Sequence, residues 1–278
     1  VVLVGASAGQ DARGSSIVAD AVFAHDFEQV VGDSIVGVIG PDASKSSNLT
    51  ISAVDLVRDN SAQHLQAPGG DYAAVDTGTR LVGTTSALSF SIFTNDRGSI
   101  GGPPENLVRL LSSYNGTGVP LGETLFDLLW SGGRRLRFYT EATSVLSTAT
   151  VPVQDELWHQ AGFVFDSGTV TFYFDGEQLG DSVAVPGVTE IATQNDNWTL
   201  VEDARPVSQL GEYFRGGSYD EAALWYRAVS AEEMRTLYEE GFSNASSGVI
   251  PEPSTIGLLA IGLVGVVLQA RRRGLSQG

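Results

Sequence analysis

Cysteine is absent from the 278 residues, so no disulfide can hold this chain, and its fold must rest on a hydrophobic core. Positive charge is also scarce. Sixteen lysines and arginines stand against 33 aspartates and glutamates, a formal charge of −17 at pH 7. That balance excludes nucleic acid as a partner, because its binding rests on basic patches, and it favours solubility. Histidine occurs three times, as His25, His64 and His159, with none of the spacings that put two zinc ligands on one helix face. No Glu-x-Asp triplet occurs. On a strand, residues i and i+2 share a face, and such a triplet would present the paired carboxylates that retaining glycoside hydrolysis needs. Asp220 and Glu221 are adjacent, and strand alternation expects them on opposite faces. Gly101-Gly102-Pro103-Pro104 leads into no helix and reads as loop, not as a phosphate cradle.

What the chain does have, over most of its length, is short runs of Val, Ile, Phe, Tyr and Thr set between Gly, Asp, Asn and Ser clusters. Strands are expected at 19–27, 49–54, 71–76, 87–94, 107–114, 124–131 and 135–140, with a loop-rich stretch at 32–48. Residues 157–179 carry the clearest alternation. Val170, Phe172 and Phe174 share one face, as do Ala161, Phe163 and Phe165, with turns at Asp166-Ser167-Gly168 and Asp175-Gly176. So apolar a hairpin belongs mid-sheet, packed on a second sheet. A last strand is expected at 219–226. Ser230 and Glu233 then form a capping box opening a helix, which Met234, Leu237 and Tyr238 stripe and Gly241 ends.

Long apolar runs are nearly missing, and the exception lies at the end. Pro251-Glu252-Pro253 is followed by about 17 uncharged residues, which as a helix would span roughly 25 Å, and then by Arg271, Arg272 and Arg273. Arginines beyond an apolar run hold that end in the cytoplasm, so the body should face away from it. At the other end, residues 1–4 read as the close of an apolar signal region and Ala6-Ser7-Ala8 as a small-x-small cleavage site. The chain thus divides into a signal-peptide remnant (1–8), a body (9–242), a linker (243–250) and the tail (251–274).

The tail resembles a PEP-CTERM sorting signal, with Pro251, Glu252 and Pro253 as the motif and Arg271, Arg272 and Arg273 as the basic terminus. The resemblance implies a Gram-negative bacterium that makes exopolysaccharide, and an exosortase as processing partner. It also implies an inner-membrane-anchored precursor that ends at the cell surface or in the extracellular matrix.

The body resembles the LamG-like, concanavalin A-like family. Trp158-His159, Phe163, Phe165 and Tyr173-Phe174-Asp175-Gly176 look like that family's hairpin, and Gly217 to Ser230 like its closing strand. The implied fold is all-β, a two-sheet antiparallel jelly-roll sandwich of six or seven strands per sheet, with one short helix. A calcium ion at the sandwich edge would fall to Asp26 and Asp220, which the family fold brings near each other. The function implied is a non-enzymatic adhesion module, with extracellular polysaccharide as its ligand. Tyr114-Asn115, Asn195 to Trp198 and Tyr213 have suitable chemistry. A secreted glucanase-like enzyme or a purely structural surface protein are the alternatives.

Overall fold

The computed structural model describes residues 17–27, 30–45, 50–52, 64–67, 75–95, 107–113, 124–129, 135–140, 143–151, 157–192, 197–200 and 217–242. The chain divides into two compact units, Val1–Ser246 and Ser247–Gly278. The sorting tail, with Pro251, Glu252, Pro253 and Arg271 to Arg273, lies outside the described residues. Among those described, no helix is long and apolar enough to cross a membrane.

The strands in chain order are β1 (Phe23–His25), β2 (Val30–Val31), β3 (Ser34–Ile35), β4 (Ala43–Lys45), β5 (Thr50–Ser52), β6 (His64–Ala67), β7 (Val75–Arg80), β8 (Thr84–Thr85), β9 (Ala87–Asn95) and β10 (Leu107–Ser112). There follow β11 (Thr124–Leu129), β12 (Arg135–Thr140), β13 (Thr143–Leu146), β14 (His159–Asp166), β15 (Thr169–Phe174), β16 (Glu177–Gln178), β17 (Val183–Ala184), β18 (Ile191–Ala192), β19 (Asn197–Leu200) and β20 (Gly217–Trp225). Sheet A runs β16-β15-β14-β9-β20-β6-β5, with β1 beside β20 and β17 beside β15. Sheet B runs β13-β12-β11-β10-β19-β7-β4-β3-β2. Each has nine strands, more than the six or seven expected, because two- and three-residue strands extend both. Two of these, β3 and β4, lie in the stretch expected to be loop, and β2 lies just before it. The first expected strand is shortened to β1, with a helical turn at 17–19 before it.

The two sheets close on one another through aromatics. The inner face of sheet A carries the cross-strand row Phe172, Phe163, Phe90, Leu224 and Phe23, each in register with the next and each fully buried. Phe138 of sheet B meets that row, its ring 5.0 Å from Phe163 and 5.7 Å from Phe165. The alternation read in 157–179 thus holds, with Ala161, Phe163, Phe165, Val170, Phe172 and Phe174 all in this core.

Sheet A is covered on its other face too. The helix Ala231–Glu240 packs Met234 and Leu237 there, and the segment around Ile17 and Val18 joins them over Val164, Tyr173, Ala223 and Trp225. The capping box is formed, with Ser230 Oγ accepting from the Glu233 amide and Glu233 accepting from the Ser230 amide. Polar residues on this covered face serve the elements above it. Ser89 Oγ donates to the Arg227 carbonyl (2.7 Å) and accepts from the Val229 amide (3.0 Å). Gln160, fully buried, donates to Ser91 Oγ and accepts from the Gly176 amide, both at 2.9 Å. Among the described residues, no helix packs on the outer face of sheet B.

Candidate functional site: the outer face of sheet B

Strand register lays one row of positions across this face. Tyr139 stands opposite position 125, 125 opposite Ser112, Ser112 opposite Thr199, Thr199 opposite Asp76, and Asp76 opposite Ser44. The alternation that turns these residues outward points Phe138, Leu200 and Val75 into the core.

Asp76 is the best-ordered charge in the row. Its Oδ1 accepts from the Gly78 amide (2.8 Å) and from Asn197 Nδ2 (2.9 Å), and its Oδ2 lies 3.2 Å from the same Nδ2. These donors hold the carboxylate as an oriented acceptor on a half-buried surface. In mid-row, Ser112 Oγ and Thr199 Oγ1 satisfy each other at 2.6 Å and are buried. At the far side, Arg137 lies over the Tyr139 ring, 5.8 Å from its centroid, while Arg135, Arg137 and Tyr139 are all partly exposed. An oriented carboxylate, an amide and an aromatic ring are groups that hold sugars.

The metal residues expected from the sequence lie elsewhere. Asp26 follows β1, whose register on β20 ends at His25 opposite Ala222. Asp220 sits on β20 just before an irregularity at Glu221, which has φ +46°. Strand alternation does not hold there. Asp220 and Glu221 are both buried, on a strand interrupted between Asp220 and Ala223 where a regular one was expected. Asp220 Oδ1 accepts from the Glu221 amide at 2.8 Å, and Glu221 accepts from the Phe242 amide at 2.7 Å, tying the end of the helix to the bulge. Among the described residues no group of three or more His, Asp or Glu side chains is placed to hold a metal ion. Calcium also takes carbonyl and water oxygens, so Asp26 and Asp220 would supply only part of its six to eight ligands.

His25 is fully buried beside this junction, its ring 5.5 Å from that of Phe23. Burial lowers its pKa to about 4, against the opposing pull of the Asp42 carboxylate and the Val36 backbone. His159 is held by Asp175, Nδ1 to Oδ2 at 2.7 Å, and stacks on Phe174. Arg227 bridges Asp20 (2.7 Å) and Glu233 (2.8 Å) and not Asp220, and its pKa is raised chiefly by the Asp20 bond. Of the sugar-binding candidates, Asn197 joins the row and Trp198 is core, its Nε1 donating to Tyr226 Oη at 3.0 Å. Tyr114, Asn115, Asn195, Asp196 and Tyr213 lie outside the described residues. Asp76 closes the strand expected at 71–76, with no signal in the sequence for a site. Its partner Asn197 is 121 residues away.

Residues 68–235 match the Laminin_G_3 family, described as the concanavalin A-like lectin/glucanases superfamily, and residues 249–273 match the PEP-CTERM protein-sorting motif. No curated protein matches the chain. Domain 4 of AbnA, a GH43 extracellular arabinanase from Geobacillus stearothermophilus solved in complex with arabinotriose, superposes with a TM-score of 0.55 at 14% identity, covering 79% of this chain and 98% of that one. The ligand-binding domain of botulinum neurotoxin serotype D, in complex with N-acetylneuraminic acid, gives 0.54 at 12% identity, covering 82% and 52%. Trypanosoma rangeli sialidase gives 0.53 at 16%, covering 81% and 33%. The match thus spans about half of the neurotoxin chain and a third of the sialidase. At these identities the likeness shows the fold.

Proposed function

The chain belongs to the concanavalin A-like lectin/glucanases superfamily, and from that premise we propose that it is an exported, non-enzymatic module binding carbohydrate on the outer face of sheet B. The observation that carries the reading is Asp76, held by the Gly78 amide and by Asn197, in one cross-strand row with Tyr139. Two of the fold neighbours were captured with a sugar or sialic acid in place, which supports the ligand class.

Carboxylate spacing on the strands of sheet B supports the non-enzymatic half of this reading. The strands of sheet B carry two acidic residues, at positions 76 and 127. Between β7 and β11 stand β19 and β10, so at about 4.8 Å per strand the two positions are roughly 14 Å apart. Glycosidase carboxylates stand about 5–9.5 Å apart.

The PEP-CTERM match at 249–273 supports export. In this reading an exosortase recognises Pro251-Glu252-Pro253, the apolar helix anchors the precursor in the inner membrane until then, and Arg271 to Arg273 hold the cytoplasmic end. The body is then released to the surface or matrix of a Gram-negative bacterium. A glycan-array screen of the full-length chain, with reducing ends assayed on every glycan bound, tests the proposal. Binding without hydrolysis is expected. An array with no positive glycan removes the carbohydrate reading, and reducing-end release abolished by Asp76→Asn removes the non-enzymatic one.

A further inference from the structure

Charge is not spread evenly over this sandwich. The strands of sheet A hold Asp166, Glu177, Asp220 and Glu221 and not one lysine or arginine. The strands of sheet B hold Lys45, Arg80, Arg109, Arg135 and Arg137 against Asp76 and Asp127; register sets Lys45 opposite core-facing Val75, which leaves the outer-face positions a formal +2 in a chain of −17. A cationic face on a strongly anionic protein focuses the field on one side, drawing anions there and repelling them elsewhere.

The cations are specific in kind and place. Lysine occurs once in the whole chain, as Lys45, which is committed to Asp33 at 3.1 Å. The rest are arginines, whose planar fork matches a carboxylate with two parallel hydrogen bonds. Arg135 and Arg137 share the outer face of β12, roughly 7 Å apart along the strand. Arg137 stands in register with position 127 and with Leu146, and Arg135 with position 129, so Arg135 has no acidic residue opposite it. Its Nε is buried without a hydrogen-bond partner, while the residue as a whole is partly exposed. Beside the pair, Tyr139 supplies a ring beneath the Arg137 guanidinium, which limits the orientations that group can take.

We propose that the glycan bound on this face is a carboxylate-bearing polysaccharide, a polyuronate, whose successive carboxylates are held by Arg135 and Arg137 while Asp76 and Asn197 take hydroxyls farther along the row. This rests on the carbohydrate reading above and names the substrate class of the same face. A neutral glycan would use the Asp76 end alone. A polyuronate uses both ends.

The test compares polygalacturonate with the same polymer fully methyl-esterified, which keeps the sugar and removes the charge, and with polyglutamate, which keeps the charge and removes the sugar. Binding of the full-length chain is measured at two salt concentrations for wild type, Arg135→Gln, Arg137→Gln, and Arg235→Gln as a control on the helix. We expect polygalacturonate to bind best and to weaken with salt, with each substitution on β12 costing about tenfold and Arg235→Gln leaving binding unchanged. Melting curves that match wild type show that the variants are folded. Equal binding of the charged and esterified polymers, unaffected by either β12 substitution, overturns the polyuronate assignment and leaves the carbohydrate reading standing. Polyglutamate binding as tight as polygalacturonate, or an equal loss in Arg235→Gln, overturns it as well, since any polyanion would then serve. No binding to either sugar polymer or to any neutral glycan removes both readings together.

Discussion

Replacing Phe172 with alanine should be among the most damaging single changes in the sandwich. Phe172 is fully buried on β15, in register with Phe163, which is in register with Phe90 and in contact with Phe138 of the opposing sheet. A phenylalanine side chain buries roughly 150–250 Å², and at about 25 cal/mol per Å² its removal from water is worth at most roughly 4–6 kcal/mol. Alanine keeps part of that, but the cavity left among ladder-bonded strands cannot collapse. The expected loss is therefore about 4 kcal/mol. Phe174 retains 7% exposure at the end of the same strand, so Phe174→Ala should cost less, about 3 kcal/mol. Domains of this kind hold only about 5–15 kcal/mol, so either loss moves the urea midpoint by about 1–2 M. The assay is urea unfolding of the full-length chain followed by the fluorescence of Trp198 and Trp225, both fully buried. Losses under about 1 kcal/mol for both variants would falsify the assignment of this face to the core.

The remaining expectations concern pH and processing. His25 titrates near 6.5 when unfolded and about 4 when folded, so it stays neutral inside while the unfolded chain takes up the proton. Its contribution is present above pH 6.5 and is lost as pH falls through 4, on the order of 3 kcal/mol across that window. His25→Phe should flatten the pH dependence of the melting temperature between pH 6.5 and 4, and an unchanged slope in that variant means other groups set it. For the tail, replacing Pro251-Glu252-Pro253 with alanines should leave the uncut precursor in the membrane fraction of the native host. Intact mass of the surface fraction reads this, and finding Arg271 to Arg273 on the mature surface protein leaves a plain anchor.

How far the sequence could be read depended on local period. The hairpin of β14 and β15 declared itself because Phe163, Phe165, Val170 and Phe172 recur at every second position, and a one-residue slip would have moved these side chains from the core between the sheets to the face under the helix. The helix declared itself through Ser230 and Glu233, whose reciprocal hydrogen bonds need only a three-residue spacing. The bulge at Glu221 did not. A glutamate with φ +46° has no sequence signature, and what holds it is the Phe242 amide, 21 residues on. Strands β2, β3 and β4 escaped because two or three residues carry no period. The site was the least legible part, since Asp76 and Asn197 come from strands that meet only when sheet B closes. Ser89, Ser91 and Gln160 look like surface positions by residue type, yet they are buried beneath the helix and the turn before it.

The central claim, that the outer face of sheet B binds carbohydrate through Asp76, is tested most directly by calorimetric titration of the strongest glycan from the array into wild type and Asp76→Ala. Loss of a charge-assisted acceptor should weaken binding by about tenfold or more, while the melting temperature, set mainly by the aromatic core, changes little. An affinity unchanged in Asp76→Ala would contradict the account and place any sugar site elsewhere on the molecule.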